Sequence, residues 1–304
     1  MNNIVILGEC MVELRDQLDG NLTKRFSGDT YNTAVYLKRC VPDLPVAYLT
    51  SLGQDALSDQ IAGEMACEAL DITYVTRCPF RLPGLYMVHT DATGERSFSY
   101  WRQQSAATQY ISTMKGDFPK ADLVFLSGIS LAILDTPQRQ RLYEHLQNAK
   151  RAGSKIVFDV NYRASLWSNP DTAREWADKL YQITDIALSG TEDHAELFGH
   201  TGLEHVADYL AKCDIPEFVV KNGGKNVLVN DGATSHTCPI ANVTNIVDTT
   251  AAGDAFNAGY LAARYTGLAP KEAVDYGARL ATTVIGHYGA IIPRAQFQPP
   301  AYPK

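Results

Sequence analysis

Short apolar runs recur along the chain and predict buried strands. The first covers residues 4–7, an Ile-Val-Ile-Leu run that Gly8 ends. Continuous apolar runs of this kind are typical of strands that are covered on both faces of a sheet. The predicted strands are residues 4–7, 46–50, 123–126, 156–158, 186–188, 218–220 and 227–229.

Between several of these strands, apolar positions recur with helical spacing. The predicted helices are residues 56–70, 138–152, 171–181, 203–212, 253–266 and 270–288. Strands that alternate with helices indicate an α/β fold, in which a mostly parallel, doubly wound sheet carries helices on both faces.

Two segments depart from this alternation. Residues 13–26 alternate polar and apolar positions around a turn at 19–21, and residues 84–104 predict a hairpin with its turn at 91–95. Neither segment has an obvious helix partner. They form either a small sheet that acts as a lid or an antiparallel extension of the main sheet, and the pattern alone does not separate the two.

Length and charge narrow the class of protein. The 304 residues suit one α/β domain with a small appendage, and 45% hydrophobic and 20% charged residues are ordinary for a globular chain. The net charge of −7 argues against nucleic acid as the main partner. It leaves small phosphates open, because backbone N–H groups can hold them.

The six cysteines form no C-x-x-C pair and no zinc-ligand spacing with histidine. The first residues lack the basic and apolar regions of a signal peptide, and no run of 18 apolar residues occurs. We therefore expect free thiols, a cytoplasmic location and no membrane partner.

Small residues precede a predicted helix at positions 248–254, Asp-Thr-Thr-Ala-Ala-Gly-Asp. The backbone of Ala251, Ala252 and Gly253 could cradle an anion at the helix start. Asp254 would lie in the first helical turn, where a carboxylate can accept a proton from an attacking hydroxyl. The alternative is an ordinary capped helix start, which the spacing alone favours.

A second candidate lies at residues 27–34, where Gly28 gives room and Asp29 and Asn32 offer groups suited to sugar hydroxyls. A capped helix start is again the simpler interpretation. A third is the loop from Lys221 to Lys225, whose glycines could approach a nucleotide or simply form a hairpin turn.

Several familiar motifs are missing from the sequence. It contains no P-loop, no strand-borne G-x-G-x-x-G, no H-E-x-x-H and no G-x-S-x-G. Dehydrogenases of the Rossmann type, P-loop NTPases, zincins and α/β-hydrolases are therefore poorly supported.

Taken together, the motifs at 28–32 and 248–254 resemble the signatures of the ribokinase-like (PfkB) carbohydrate kinases, in the same order and over the whole chain. Within that family the chain is most similar to bacterial kinases of 2-keto-3-deoxygluconate. The similar stretches are GECMVEL, GDTYNTAVYL, RLPGLY, GERSFSYWR, LSGISLAIL, FDVNYR, DTTAAGD and GAIIPR.

The resemblance implies a single ribokinase-like domain over residues 1–304, with a lid formed by about residues 10–27 and 84–104. It implies transfer of the ATP γ-phosphoryl group to the terminal hydroxyl of a sugar acid, with Asp254 as the base and residues 251–253 as the anion hole. The implied substrate contacts are Gly28, Asp29, Asn32, Tyr86, Tyr100, Arg102 and Arg163.

The implied cofactors are ATP and Mg²⁺, and the resemblance also allows a requirement for a monovalent cation. The nucleotide side is implied to involve Asn161, Arg163, Lys221, Gly223, Gly224, Thr249 and Gly253. Arg163 could serve the sugar carboxylate or the transferred phosphate. No firm metal ligand emerges, and Glu192 is the candidate.

The chain departs from the family pattern at three places. Ala251 stands where most members have glycine, which carries a penalty if that residue needs a positive φ. Asp29 adds an acid to the sugar signature. The family's N-x-x-E element is weak, since Thr191 and His194 occupy its polar positions.

The sequence is also compatible with other functions. The same fold and reaction could serve another sugar, as in a fructokinase or a ketodeoxygalactonate kinase, or the chain could be a catalytically silent sugar-acid sensor. Family analogy also predicts a homodimer, or a higher homo-oligomer, that pairs the aromatic hairpin at 84–104 with a copy of itself.

Overall fold

The structure is a computed structural model that describes residues 3–16, 21–90, 96–241 and 243–302. Within these ranges it contains two sheets, with helices on both faces of the larger one. The predicted turn at 91–95 and most of the turn at 19–21 lie outside the described residues.

Strands occur along most of the described chain. They are β1 (Ile4–Leu7), β2 (Met11–Asp16), β3 (Leu22–Ser27), β4 (Val46–Leu52), β5 (Val75–Arg77), β6 (Leu85–Thr90), β7 (Arg96–Trp101), β8 (Leu123–Ser127), β9 (Lys155–Asp159), β10 (Ile186–Gly190), β11 (Glu217–Asn222), β12 (Asn226–Asn230) and β13 (Ser235–Pro239). Every strand predicted from an apolar run is present, whereas β5 and β13 were not predicted because they are short or polar.

The larger sheet has the order β13-β12-β11-β10-β9-β8-β1-β4-β5. Its strands are parallel from β11 to β5, and β12 and β13 continue it as an antiparallel edge. The α/β prediction is confirmed. Because β1 is flanked by β4 on one side and β8 on the other, the strand order reverses at β1, and ligands of such sheets bind at the carboxyl ends there.

The helices are α1 (Asp29–Cys40), α2 (Ala56–Cys67), α3 (Gly128–Ala132), α4 (Thr136–Arg151), α5 (Pro170–Tyr181), α6 (Thr191–Phe198), α7 (Gly202–Lys212), α8 (Ala252–Tyr265) and α9 (Pro270–Ile285). Side-chain caps start several of them, as where Asp55 accepts from two backbone N–H groups of α2. The predicted ends at 70 and 288 were too late. Ala69 has a φ of 58°, which breaks the helical path after α2.

Alternation along β1 shows how the core is divided. Ile4 and Ile6 pack into one hydrophobic cluster with residues of α1, α2, α8 and α9. Val5 and Leu7 point to the other face and pack with residues of α4, α5, α6 and α7. Apolar residues on both faces of a strand thus explain the continuous runs in the sequence.

The second sheet, the small sheet, has the order β3-β2-β6-β7 and is separate from the main sheet. The alternative of an antiparallel extension was therefore wrong. Phe98, Tyr100 and Trp101 of β7 are 43%, 53% and 59% exposed. The lid role, the division into domains and pairing with a second copy stay predictions. In the described part of the chain, no helix has the length and apolar character needed to cross a membrane.

Candidate active site

The start of α8 follows the turn predicted as an anion cradle. Ala251 has a φ of 63° and a ψ of 15°, and helical residues begin at Ala252. A left-handed conformation is unfavourable for alanine, so this position would suit glycine better. The turn leaves the first N–H groups of α8 at its amino end, and Asp254 lies in the first turn as predicted.

Asp254 is held by a residue from the second predicted motif. The Asn32 amide of α1 donates to Asp254 Oδ2 at 2.8 Å. Ser27 Oγ donates to the other end of the Asn32 amide at 3.1 Å, which fixes its orientation. The two motifs, 222 residues apart in sequence, therefore meet at one carboxylate.

Asp29 brings a second carboxylate to the same place. Its Oδ2 accepts from Ser127 Oγ at 2.5 Å and from Asn161 Nδ2 at 2.8 Å. Burial and the nearby charge of Asp29 raise the pKa of Asp254 to about 8, although the bond from Asn32 lowers it. Carboxylic groups with raised pKa values are common at catalytic sites.

Lys221 places a cation beneath the start of α8. Its Nζ donates to Asp159 Oδ2 at 2.9 Å and to Asn257 Oδ1 at 3.0 Å, and Asn257 also donates to Asp159 Oδ2 at 2.6 Å. A Cβ built on Gly253 would lie 4.0 Å from this ammonium group. The lysine and the helix dipole thus favour a negative group at the same spot.

The small sheet contributes Tyr86 and Tyr100, and Arg102 directly follows its strand β7. Arg102 Nη2 lies 2.5 Å from Glu9 Oε2, and the Arg102 and Glu9 side chains are 8% and 1% exposed. Among the described residues, Arg102 Nε is buried and has no hydrogen-bond partner. Tyr86 donates to Glu13 and stacks on Tyr100 with ring centroids 5.7 Å apart.

Arg163 lies in the segment that follows β9 of the main sheet. Its side chain is 53% exposed, and Nη1 lies 3.1 Å from Asp193 Oδ1. Burial raises the pKa of the Tyr100 hydroxyl, and the charges of Arg102 and Arg163 both lower it. The two arginines therefore act on the same space above Tyr100.

The other residues predicted to contact the nucleotide are Gly223, Gly224 and Thr249, and all three are exposed. Gly223 and Gly224 are exposed in the turn between β11 and β12, which is the hairpin weighed as the alternative. Thr249 is exposed, and its carbonyl accepts from Ala252 N at 3.3 Å. Their contacts with a nucleotide stay a prediction.

The role of Glu192 as a metal ligand stays a prediction. Glu192 is exposed on α6, whereas its neighbour Asp193 reaches Arg163, and burial together with Asp159 raises the pKa of Asp193 to about 6. His194 is buried against Tyr181, and Thr191 donates to Asn222. Over the described ranges no three acidic, histidine or cysteine residues form a metal cluster. The donor set suits Mg²⁺ that arrives with phosphates and keeps its waters, rather than a protein cage.

Sequence reasoning missed several polar residues of this site. They are Glu9, Glu13, Ser127, Asp159, Asp193 and Asn257. Three of them end or directly follow buried strands: Ser127 ends β8, Asp159 ends β9, and β1 ends two residues before Glu9. A polar residue at the carboxyl end of a parallel strand was the signal that could have found them.

Comparison with known proteins shows the family of the chain. Residues 1–296 match the family described as pfkB family carbohydrate kinase. Over 301 residues the chain is 38% identical to 2-dehydro-3-deoxygluconokinase of Escherichia coli (strain K12), and the match covers 96% of this chain and 97% of that protein. The corresponding protein of Dickeya dadantii (strain 3937) is 40% identical, with the same two shares.

Solved structures agree on the fold. Fructokinase from Vibrio cholerae O395, in its fructose-, ADP- and calcium-bound form, has a TM-score of 0.83 at 23% identity and covers 95% of this chain and 94% of its own. Aminoimidazole riboside kinase from Salmonella enterica has a TM-score of 0.82 at 20% identity, with the same two shares. The ribokinase-like fold and the full-length match identify the chain as a member of the pfkB family of carbohydrate kinases.

Proposed function

We propose that the enzyme transfers the γ-phosphoryl group of ATP to the terminal hydroxyl of 2-keto-3-deoxygluconate, giving 2-keto-3-deoxy-6-phosphogluconate. The full-length relatives at 38% and 40% identity carry the name of this activity. The observation that carries the proposal is the meeting of Asp254, Asn32 and the amino end of α8 at one point.

In this mechanism Asp254 accepts the proton of the attacking hydroxyl, and Asn32 holds its carboxylate in line. The N–H groups of residues 251–253 stabilise the charge that develops on the transferred phosphoryl group. Lys221 adds a fixed positive charge on the same side. Mg²⁺ bound with ATP neutralises phosphate charge when present.

The raised pKa of Asp254 suits this role, because a base works best when its pKa lies near the working pH. Asp29 is well placed to orient a sugar hydroxyl, since Ser127 and Asn161 fix its carboxylate. Arg102 and Arg163 offer the cationic donors that a sugar carboxylate needs.

One observation favours a second candidate, phosphorylation of a neutral ketose. Glu9 already balances the charge of Arg102, so this arginine brings no net charge to the sugar side of the site. A fructokinase of Vibrio alginolyticus is 27% identical over 263 residues. The exposed guanidinium of Arg163 nevertheless favours an acid.

The test is ADP release in a coupled assay with Mg-ATP and a panel of acceptors: 2-keto-3-deoxygluconate, 2-keto-3-deoxygalactonate, 2-ketogluconate, fructose and ribose. We expect kcat/KM to be highest for 2-keto-3-deoxygluconate. Faster turnover of fructose or ribose would move the chain to the second candidate. Sugar binding with no turnover of any acceptor would indicate a silent sensor.

A further inference from the structure

A largely buried ion pair joins the small sheet to Asp248, the first residue of the turn that leads into α8. Arg15 lies on β2, where it pairs with Thr23 of β3 and Val88 of β6. Its Nη1 donates to Asp248 Oδ2 at 2.9 Å. The two side chains are 13% and 1% exposed, so water screens this contact little.

Asp248 in turn shapes the start of the loop. Its Oδ1 accepts from Thr250 N at 2.9 Å, and its Oδ2 accepts from Gly289 N at 3.0 Å. Burial raises its pKa, but the bonds from Thr250, Gly289 and Arg15 lower it to about 2. Asp248 is therefore ionised at neutral pH, and it holds the turn that directly precedes Ala251.

The other end of the contact reaches the sugar side of the site. Arg15 Nε lies 3.5 Å from Glu13 Oε1, on the same face of β2. Tyr86 of β6 donates to the second oxygen of Glu13. A continuous chain of polar contacts thus runs from Tyr86 through Glu13 and Arg15 to Asp248.

We propose that Arg15 is a positioning residue that acts through Asp248. It fixes the turn at residues 248–251, which leads into α8, against the small sheet, and it thereby aligns the N–H donors of residues 251–253 with the transferred phosphoryl group. The inference rests on the proposed role of residues 251–253. Arg15 itself need not touch substrate. Without it, the buried Asp248 carboxylate loses the charge and hydrogen bond of Arg15, and small displacements of catalytic donors cost much in rate.

The experiment compares wild type with Arg15→Gln, Arg15→Lys, Asp248→Asn and the double variant Arg15→Gln/Asp248→Asn. Lys24→Gln is the matched control, because Lys24 is an exposed cation on β3 of the same sheet and contacts Gln60. The acceptor is whichever sugar of the panel wild type phosphorylates fastest, so a wrong substrate assignment does not affect this test.

We expect Arg15→Gln to lower kcat about 10- to 100-fold while the KM for ATP changes little. Arg15→Lys should recover part of the loss, because an ammonium group can still donate to Asp248. The double variant should be about as slow as the slower single variant, since both changes break one contact. Lys24→Gln should match wild type.

Two results would overturn the inference. One is wild-type kcat in folded Arg15→Gln, even if its melting temperature falls, which would make Arg15 purely structural. The other is a double variant whose loss is the product of the two single losses, because Arg15 would then act independently of Asp248. Preferred turnover of a neutral sugar by wild type would contradict the proposed substrate and not this inference.

Discussion

Replacing Arg102 by methionine would remove the ion-pair partner that the described residues give the buried Glu9 carboxylate. Glu9 is 1% exposed, and Arg102 Nη2 lies 2.5 Å from its Oε2. Removing one member of a buried pair typically costs about 3–5 kcal/mol of unfolding free energy. For a chain of 304 residues that corresponds to a melting temperature about 5–8 °C lower.

A matched double variant separates this structural cost from substrate recognition. Glu9→Gln/Arg102→Met removes both charges, so most of the lost stability should return. The KM for 2-keto-3-deoxygluconate should stay about 10- to 100-fold raised in both variants, because a charged donor to the carboxylate is missing. The KM for ATP should stay near the wild-type value.

Thermal unfolding followed by circular dichroism and the coupled ADP assay measure the two effects. If Arg102→Met melts like wild type, the ion pair does not carry the predicted free energy. If the double variant regains both stability and wild-type KM, Arg102 has no part in binding the acid.

Other predictions follow from single residues. Ala251→Gly should raise the unfolding free energy by about 1 kcal/mol in denaturant titrations, because glycine adopts the left-handed conformation of residue 251 without strain. Ala252→Gly, at the first position of α8, should give no such gain, and equal effects of the two changes would contradict this reasoning. kcat/KM should rise with pH through about 8, since Asp254 must lose a proton to act as base. Because its folded pKa is raised, the contribution of Asp254 to the unfolding free energy should fall as pH rises between about 4 and 8, so wild type should lose more stability over that range than Asp254→Asn.

The main sheet could be predicted from the sequence because a strand that is buried on both faces is a continuous apolar run. Every apolar run became a strand of the main sheet, and most helices appeared where the apolar spacing indicated them. Helix ends were less certain, since Ala69 stops α2 by its backbone angle rather than by its residue type. Short strands such as β5 carry too few apolar residues to stand out.

Two motifs single out Asp254 and Asn32 directly, and the structure places these two side chains in contact, while their roles stay predictions. The site was missed where a contact depends on how distant elements dock. Nothing near Arg102 or Arg15 in the sequence indicates that their partners are Glu9 and Asp248. On α6, a shift of one position decides between exposed Glu192 and Asp193, which faces Arg163, and sequence does not fix that phase.

The proposed mechanism depends on Asp254 as the base of a sugar-acid kinase. The most direct test is the rate of phosphoryl transfer from Mg-ATP to 2-keto-3-deoxygluconate in wild type, in Asp254→Asn and in the control Asp275→Asn, whose carboxylate pairs with Arg279 on the surface of α9. We predict that Asp254→Asn loses about 100-fold or more in kcat while ATP binding stays intact and the control is unchanged. Full turnover by folded Asp254→Asn would show that Asp254 is not the base.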